Sequence, residues 1–119
     1  MYVLFLVLNE TKYLDDILCG FMEIGIQGAT ILDSQGMASA IVYNEKLHLP
    51  FFGSLKNFLD SSHPYNKTIF TVIESEELVE EAVKVVHNIV GDFSKPGVGL
   101  MFVLPITKVY GMERESDIE

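Results

Sequence analysis

The apolar residues of this chain change their spacing several times, and each change marks a predicted element. Residues 2–8 form a short continuous run of aliphatic and aromatic side chains. The run is too short for an amphipathic helix and predicts a buried strand at the centre of its sheet. From residue 11 the apolar positions take helical spacing, which predicts a first helix over residues 11–24, before Gly25. Residues 28–35 then alternate like a second strand.

The second half of the chain repeats this order of elements. Residues 67–74 alternate between the two faces of a predicted third strand. Ser75 and the two glutamates after it predict a helix start, because serine caps free backbone amides and acids complement the helix dipole. The apolar stripe of this second helix ends near Gly91. Beyond it, residues 100–110 predict a last strand.

Two β-α-β units in succession predict an α+β fold, with one domain over residues 1–119. The expected topology is ferredoxin-like, a four-stranded antiparallel sheet with two helices on one face and with strands one and three in the middle. Pro105 supports an edge position for strand four, since proline removes a ladder donor. The uncovered face of the sheet also carries apolar side chains. We therefore expect an obligate homo-oligomer, a trimer, that packs these faces together.

A long segment, residues 37–66, separates the two halves and is expected to carry function. Residues 38–43 are predicted to extend the second strand, and residues 54–59 to form a helical turn. The aromatic residues of this segment have two interpretations: a satellite core, or a pocket or surface that docks a partner. They are Phe51, Phe52, Phe58 and Tyr65. Residues 111–119 are predicted to be a C-terminal tail.

The charge balance excludes some classes of partner. The chain has 17 acidic and 8 basic residues, a formal net charge of −9, and Arg114 is its one arginine. Nucleic acids and anionic membrane surfaces both require clustered cations, so neither is an expected partner. No apolar segment approaches the length of a membrane span. Cys19 is the one cysteine and cannot form an internal disulfide, which favours a cytoplasmic location.

No catalytic or metal-binding pattern is visible in the sequence. The histidines, His48, His63 and His87, lack the spacing of a metal site. Cys19 lies beside the apolar stripe of the first helix and is interpreted as a packing residue. No nucleophile and base occur in a recognisable pair, so we predict that the protein is not an enzyme.

Two glycine-containing segments lie at matching places in the two halves. Residues 25–30, Gly-Ile-Gln-Gly-Ala-Thr, lead into strand two, and Gly36 follows that strand. Residues 97–103, Gly-Val-Gly-Leu-Met-Phe-Val, lead into strand four. Together they resemble the Gly-Ile-x-Gly-x-Thr and Gly-x-Gly-Lys-Ile-Phe segments of the PII (nitrogen regulatory protein P-II) signalling family. The resemblance covers most of the chain except the long central segment.

This resemblance implies a trimeric regulator whose clefts between subunits bind adenine nucleotides, and whose long loop reports the ligand to a target protein. Backbone amides of a glycine turn can cradle phosphates. Glycines in such a turn also have a conformational explanation, because they adopt positive φ angles without strain. The candidate residues for a small-molecule effector are Thr30, Gly36, Met37, Gly97, Val98 and Gly99.

The chain departs from the family pattern at the positions that hold phosphates. The lysine of the second glycine segment is replaced by Leu100, and the two expected arginines fall at Gly111 and Glu113. Lys95 and Lys108 are the candidate substitute cations. The leading hypothesis is thus a divergent PII-like sensor of a small metabolite, an adenine nucleotide among the candidates. The alternative is a CutA-like or purely structural trimer that binds a metal or a protein partner.

Overall fold

The four strands form one antiparallel sheet. The computed structural model describes residues 1–43, 65–91, 93–94 and 97–112. The strands are β1 (Tyr2–Leu8), β2 (Thr30–Ser34), β3 (Asn66–Ile73) and β4 (Gly99–Pro105). A 3-10 turn (Thr11–Tyr13) leads into α1 (Leu14–Glu23), and the other helices of the described residues are α2 (Met37–Tyr43) and α3 (Glu76–Val90).

The sheet has the order β2-β3-β1-β4. The predicted central positions of β1 and β3 and the edge position of β4 are therefore confirmed. Phe5 of β1 lies opposite Phe70 of β3 on one side and opposite Phe102 of β4 on the other. Alternate residues of β1 lie on opposite faces of the sheet, and both faces carry apolar side chains, which accounts for the continuous apolar run of residues 2–8.

One face of the sheet packs against α1 and α3. Leu4, Leu6 and Leu8 of β1 are fully buried and share one cluster with Phe21 of α1 and Val86 of α3. The remaining buried members of this cluster are Ile17, Ile26, Ile69, Ile73, Val79 and Ala82. Burial of an apolar side chain of this size contributes roughly 1.5–3 kcal/mol, so this layer is the main source of stability. The structure thus has the α+β class expected from the sequence.

The limits of α3 agree with the sequence prediction. The Ser75 hydroxyl accepts a hydrogen bond from the backbone N–H of Leu78 at 3.1 Å, as expected for an N-cap. Gly91, with φ of +94°, stands at the C-cap, and its backbone N–H donates to the carbonyl of His87. A glycine at this position adopts the left-handed region without strain.

The prediction that residues 38–43 extend the second strand is wrong. These residues belong to α2, whose first turn is closed by a hydrogen bond from the backbone N–H of Ala40 to the carbonyl of Gly36 at 2.9 Å. Local bonds of this kind satisfy the backbone without a partner strand. Ser39 of this helix is buried, with 8% of its surface exposed.

Two further expectations need correction. The last strand stops at Pro105 instead of continuing to Tyr110, because its partner β1 begins at Tyr2, opposite Pro105. Cys19 is exposed on α1 and is not the packing residue that its position beside the apolar stripe suggested. The predicted turn over residues 54–59, and Phe51, Phe52 and Phe58, lie outside the described residues. Tyr65 is exposed.

Candidate functional site

The candidate effector residues do not all lie together. Thr30 begins this strand, whereas Gly36 and Met37 follow its last residue. Because Leu8 pairs with both Lys67 and Gly99, and Ser34 pairs with Asn66, the end of β2 and the start of β4 lie at the same end of the sheet. We call this end, with Gly36, Met37, Gly97, Val98 and Gly99, the glycine end. Thr30 lies away from it.

Polar side chains connect the two sides of the glycine end. The side-chain amide of Asn9 donates to the carbonyl of Gly97 at 3.2 Å, and the side-chain amide of Asn66 donates to Oδ1 of Asn9 at 3.3 Å. The hydroxyl of Ser34 bonds to the side chain of Asn66 and lies 2.8 Å from the hydroxyl of Thr68. This Asn9–Asn66–Ser34 network therefore runs from the Gly97 turn to the end of β2.

The sequence pattern does not single out these polar residues. Each lies at the end of a strand, where a polar residue is ordinary, so nothing in the linear pattern separates it from turn chemistry. The Asn9-Glu10 pair after β1 and Ser34 after the apolar part of β2 were the only local signals. The bonds join residues 32–88 positions apart and are set by strand register.

Two glycines at the start of β4, Gly97 and Gly99, have a conformational role. Gly97 has φ of +83° and Gly99 has φ of +146°, both in the region that favours glycine. A Cβ atom at Gly99 would also collide with the carbonyl oxygen of Val7, whereas a Cβ atom at Gly97 would meet nothing within 4 Å. Gly36 has no positive φ. A Cβ atom at Gly36 would have Nδ2 of Asn66 as its nearest neighbour, at 3.9 Å.

The predicted substitute cations do not gather at the glycine end. Lys108 follows β4 at the opposite end of that strand, and Lys95 lies outside the described residues. Lys67, at the start of β3, forms an ion pair with Asp33. The ammonium of Lys12 lies 5.1 Å from the centroid of the Tyr13 ring.

A pocket of about 1080 Å³ occupies the other end of β2, around Thr30. Three parts of the chain form its walls: the lead-in to β2, the end of β3 with the first turn of α3, and the C-terminal segment. The lining residues are Gly25, Ile26, Gln27, Gly28, Ala29, Thr30, Phe70, Thr71, Val72, Glu74, Leu78, Val109, Tyr110, Gly111 and Met112. The buried hydroxyl of Thr71 donates to the carbonyl of Gly28 at 2.6 Å and fixes the lead-in against β3.

The sheet face opposite the helices is apolar and partly exposed. Thr30, Phe70, Phe5 and Phe102 form one row across all four strands. The Phe5 ring stacks on Phe102 with centroids 5.0 Å apart and lies 5.5 Å from the Phe70 centroid. Large side chains on this open face are substantially exposed: Leu32 by 50%, Leu100 by 57%, Phe102 by 39% and Leu104 by 48%.

The described residues contain no group of three or more His, Cys, Asp or Glu side chains arranged to hold a metal ion. Within the same part of the chain, every helix is too short or too polar to cross a membrane. No protein-family model matches this chain, and no curated protein matches it.

Proposed function

We propose that this chain is a PII-like regulatory protein with ferredoxin-like topology and no catalytic activity. It assembles as a homotrimer and binds a small metabolite in clefts between subunits. Residues 37–66 relay binding to a partner protein. The observation that carries the proposal is the glycine end, where the Asn9–Asn66–Ser34 network joins the Gly97 turn to the strand that precedes this long segment.

The open sheet face supports the assembly. A face with four large side chains 39–57% exposed is costly to leave in water, and packing three such faces together removes them from it. The placement of the candidate residues supports a cleft between copies. Thr30 and Gly36 lie at opposite ends of β2, roughly 20 Å apart at 3.3 Å per residue, so one small ligand contacts both most easily across an interface.

The relay follows from the bonding at the glycine end. A ligand held by the backbone of residues 97–99 would change the hydrogen bonds of Asn9, which bonds to the carbonyl of Gly97 and to Asn66. Asn66 and Ser34 border the two ends of residues 37–66, so a change in their bonds changes how this segment begins and ends. Order and disorder of a loop is an established form of switch.

The cationic side chains available in this chain limit which effectors it can bind. Because Leu100 and Gly111 stand where the resemblance places a lysine and an arginine, a polyphosphate would have fewer charged partners here. An adenine nucleotide remains a candidate effector, together with smaller metabolites held by backbone amides.

Light scattering and thermal shift of the purified chain test the proposal. We expect the mass of a trimer, and a raised melting temperature with one member of a set of adenine nucleotides, cyclic dinucleotides, bicarbonate and 2-oxoacids. A monomer in dilute solution would contradict the assembly. A flat response to every compound at millimolar excess would remove the support for an effector.

A structural trimer of the CutA-like kind is the second candidate. The contact between Gly99 and Val7 favours it, because this contact explains a glycine at residue 99 without any ligand. A trimer of this kind would bind a metal or a protein partner and would not respond to the metabolites above. Calorimetric titration with divalent metals separates the metal-binding form from the sensor.

A further inference from the structure

We infer that the open face of the sheet binds copies of this chain with like ends together, so that the glycine ends of the three subunits lie side by side. The inference rests on the proposed trimer and adds the direction of its strands, which run along the symmetry axis. The open face consists of the alternate strand residues on the side away from α1 and α3, the set that includes Phe5 and Phe70.

The open face carries no formal charge, although the chain is strongly acidic. Asp33 and Lys67 are the charged residues of the four strands, and both lie on the helix side of the sheet, where they form an ion pair. The chain has a net charge of −9, so two copies repel each other wherever their acidic surfaces meet. An uncharged apolar face lets them approach without this repulsion, and it offers nothing to a partner that is recognised by its charge. A second copy is therefore the occupant that this face suits.

The open face changes from polar to apolar along the strands. Ser34, Asn66 and Asn9 form the row at the glycine end, and their side chains bond to one another. The row that contains Phe5 lies further along the strands and is mostly aromatic. The row at the far end is aliphatic and consists of Val3, Val72 and Leu104. The two ends of the face thus differ in chemistry.

This difference favours contact between like rows. An amide or hydroxyl pressed against an aliphatic row loses water and gains no hydrogen bond, which is costly. Rotation about a symmetry axis keeps every atom at its own height, so like rows meet when the strands run along the axis. Strands that run across the axis would place the glycine end of one copy against the far end of the next. The polar row therefore selects the first arrangement.

The order of the strands shows which edges meet. β2 and β4 are the two edges of the sheet, so in a cyclic trimer β2 of one copy lies next to β4 of its neighbour. Leu32 and Leu100 occupy the same row, at equal distance from the glycine end. Leu104 lies four residues further along β4, roughly 13 Å away. Leu32 of one copy should therefore lie near Leu100 of the next and far from its Leu104.

This orientation brings the three proposed relays together. α2 begins at Met37, directly after the glycine end, so the three α2 helices begin at one end of the trimer. A partner protein that contacts more than one of them would gain avidity from the assembly. The trimer thus presents its long segments to a partner as one surface.

Pairs of engineered cysteines test the orientation in the full chain, with Cys19→Ser to remove the exposed native thiol. Within one chain Leu32 and Leu100 lie three strand spacings apart, roughly 14 Å, whereas a disulfide spans a Cα separation of at most about 7 Å. Mild oxidation should convert the Leu32→Cys/Leu100→Cys protein to a covalent trimer on a non-reducing gel. The matched pair Leu32→Cys/Leu104→Cys should remain as single chains.

Spin labels away from the open face give a second measurement that leaves the interface unaltered. Gln35 is exposed at the glycine end, and Thr107 is exposed beyond the opposite end of β4. With Gln35→Cys labelled in all subunits, the distance between labels should be shorter than in mixed trimers that carry Gln35→Cys in one subunit and Thr107→Cys in another.

Two variants test the role of the polar row. Asn9→Leu with Asn66→Leu makes the glycine end of the face apolar, so cross-links of both cysteine pairs should form. Thr30→Val, a matched change from polar to apolar in the aromatic row, should leave the preference intact. Circular dichroism shows whether each variant keeps its fold.

Several results would overturn the inference. These are equal or preferential cross-linking of the Leu104→Cys pair, no cross-link of either pair in a trimeric sample, and a shorter label distance in the mixed trimers. A preference that persists in the Asn9→Leu/Asn66→Leu protein would also overturn it. Light scattering separates these failures from failure of the proposed function, because each of them leaves the mass of a trimer, whereas a monomer refutes the assembly itself.

Discussion

Gly97 and Gly99 show how two glycines of one turn differ in their physical role. Both have positive φ, but only Gly99 approaches another strand, where a Cβ atom would collide with the carbonyl oxygen of Val7. Gly97 instead presents its carbonyl to Asn9 and leaves open space where a side chain would be. Gly99 is thus explained by packing alone, and Gly97 is the better candidate for contact with a ligand.

This difference predicts unequal costs for alanine at the two positions. Gly97→Ala should lower the free energy of unfolding by about 1–2 kcal/mol, the cost of a left-handed residue with a Cβ atom. Gly99→Ala should lower it by about 3 kcal/mol or more, because the clash with β1 adds to that strain. Urea denaturation at one protein concentration measures both. Equal losses would contradict the close approach to Val7.

The amides of Asn9 and Asn66 should act as a coupled pair. Asn9→Ala and Asn66→Ala should each lower the free energy of unfolding by about 1 kcal/mol, since each removes hydrogen bonds of this network. The double variant should cost less than the sum, with a coupling energy of roughly 0.5–1 kcal/mol. Asn88→Ala on the exposed part of α3 is the control and should couple with neither. Additive effects of Asn9 and Asn66 would remove the basis of the proposed relay.

At the scale of elements, α1 and α3 pack closely because a glycine faces the contact. A Cβ atom at Gly20 would lie 2.6 Å from Cγ1 of Val85, nearer than side chains approach without a shift. Valine is branched at Cβ and has little rotamer freedom in a helix, so it cannot easily move aside. Gly20 therefore sets the distance between these helices, although glycine is a poor helix former.

We predict that Gly20→Ala destabilises the protein despite its better helix propensity. The gain of about 1 kcal/mol from propensity should be outweighed by a packing cost of roughly 1–3 kcal/mol. Val85→Ala removes the opposing methyl groups, and the double variant should be more stable than the sum of the single effects predicts. Thermal denaturation of the four proteins completes the cycle. A stabilised Gly20→Ala variant would show that the helices separate at no cost.

At the scale of the whole molecule, the sheet has two apolar faces and the described helices cover one. The buried leucines of β1 face α1 and α3, while Phe5 and its neighbours on β3 and β4 face the open side. Exposed apolar patches of this kind mark contact surfaces in soluble proteins. This property of the sheet, and not any single residue, carries the proposed assembly.

A charge on the open face should dissociate the oligomer without unfolding the subunit. Leu104, 48% exposed on β4, is suited to this test, and Leu104→Glu should weaken association at least about a hundredfold because burying an unpaired charge costs several kcal/mol. Met22→Glu, at a side chain 73% exposed on α1, should leave the mass unchanged. Light scattering over a dilution series gives the masses, and circular dichroism checks the fold. An unchanged mass for Leu104→Glu would exclude this face as the interface.

Local patterns in the sequence are sufficient to predict the four strands, α1 and α3, and their order along the chain. A continuous apolar run marked β1, alternation marked β2 and β3, and helical spacing marked α1 and α3. Ser75 and Gly91 marked the limits of α3, because these signals come from neighbours in the chain. Pro105 also pointed to an edge strand through its missing amide. Residues 38–43 are helical where the sequence predicts strand, since a short apolar run suits either structure until its hydrogen-bond partners are known.

The contacts between distant residues depend on how the chain folds in three dimensions. Strand register brought Asn9, Asn66 and Ser34 into one network and separated Thr30 from the glycine end. The packing of the C-terminal segment near the lead-in to β2 created the pocket that Glu74 and Gly111 line. Contacts of this kind join positions far apart in the chain. Local propensity therefore does not predict these contacts, which follow from how the sheet and its helices pack.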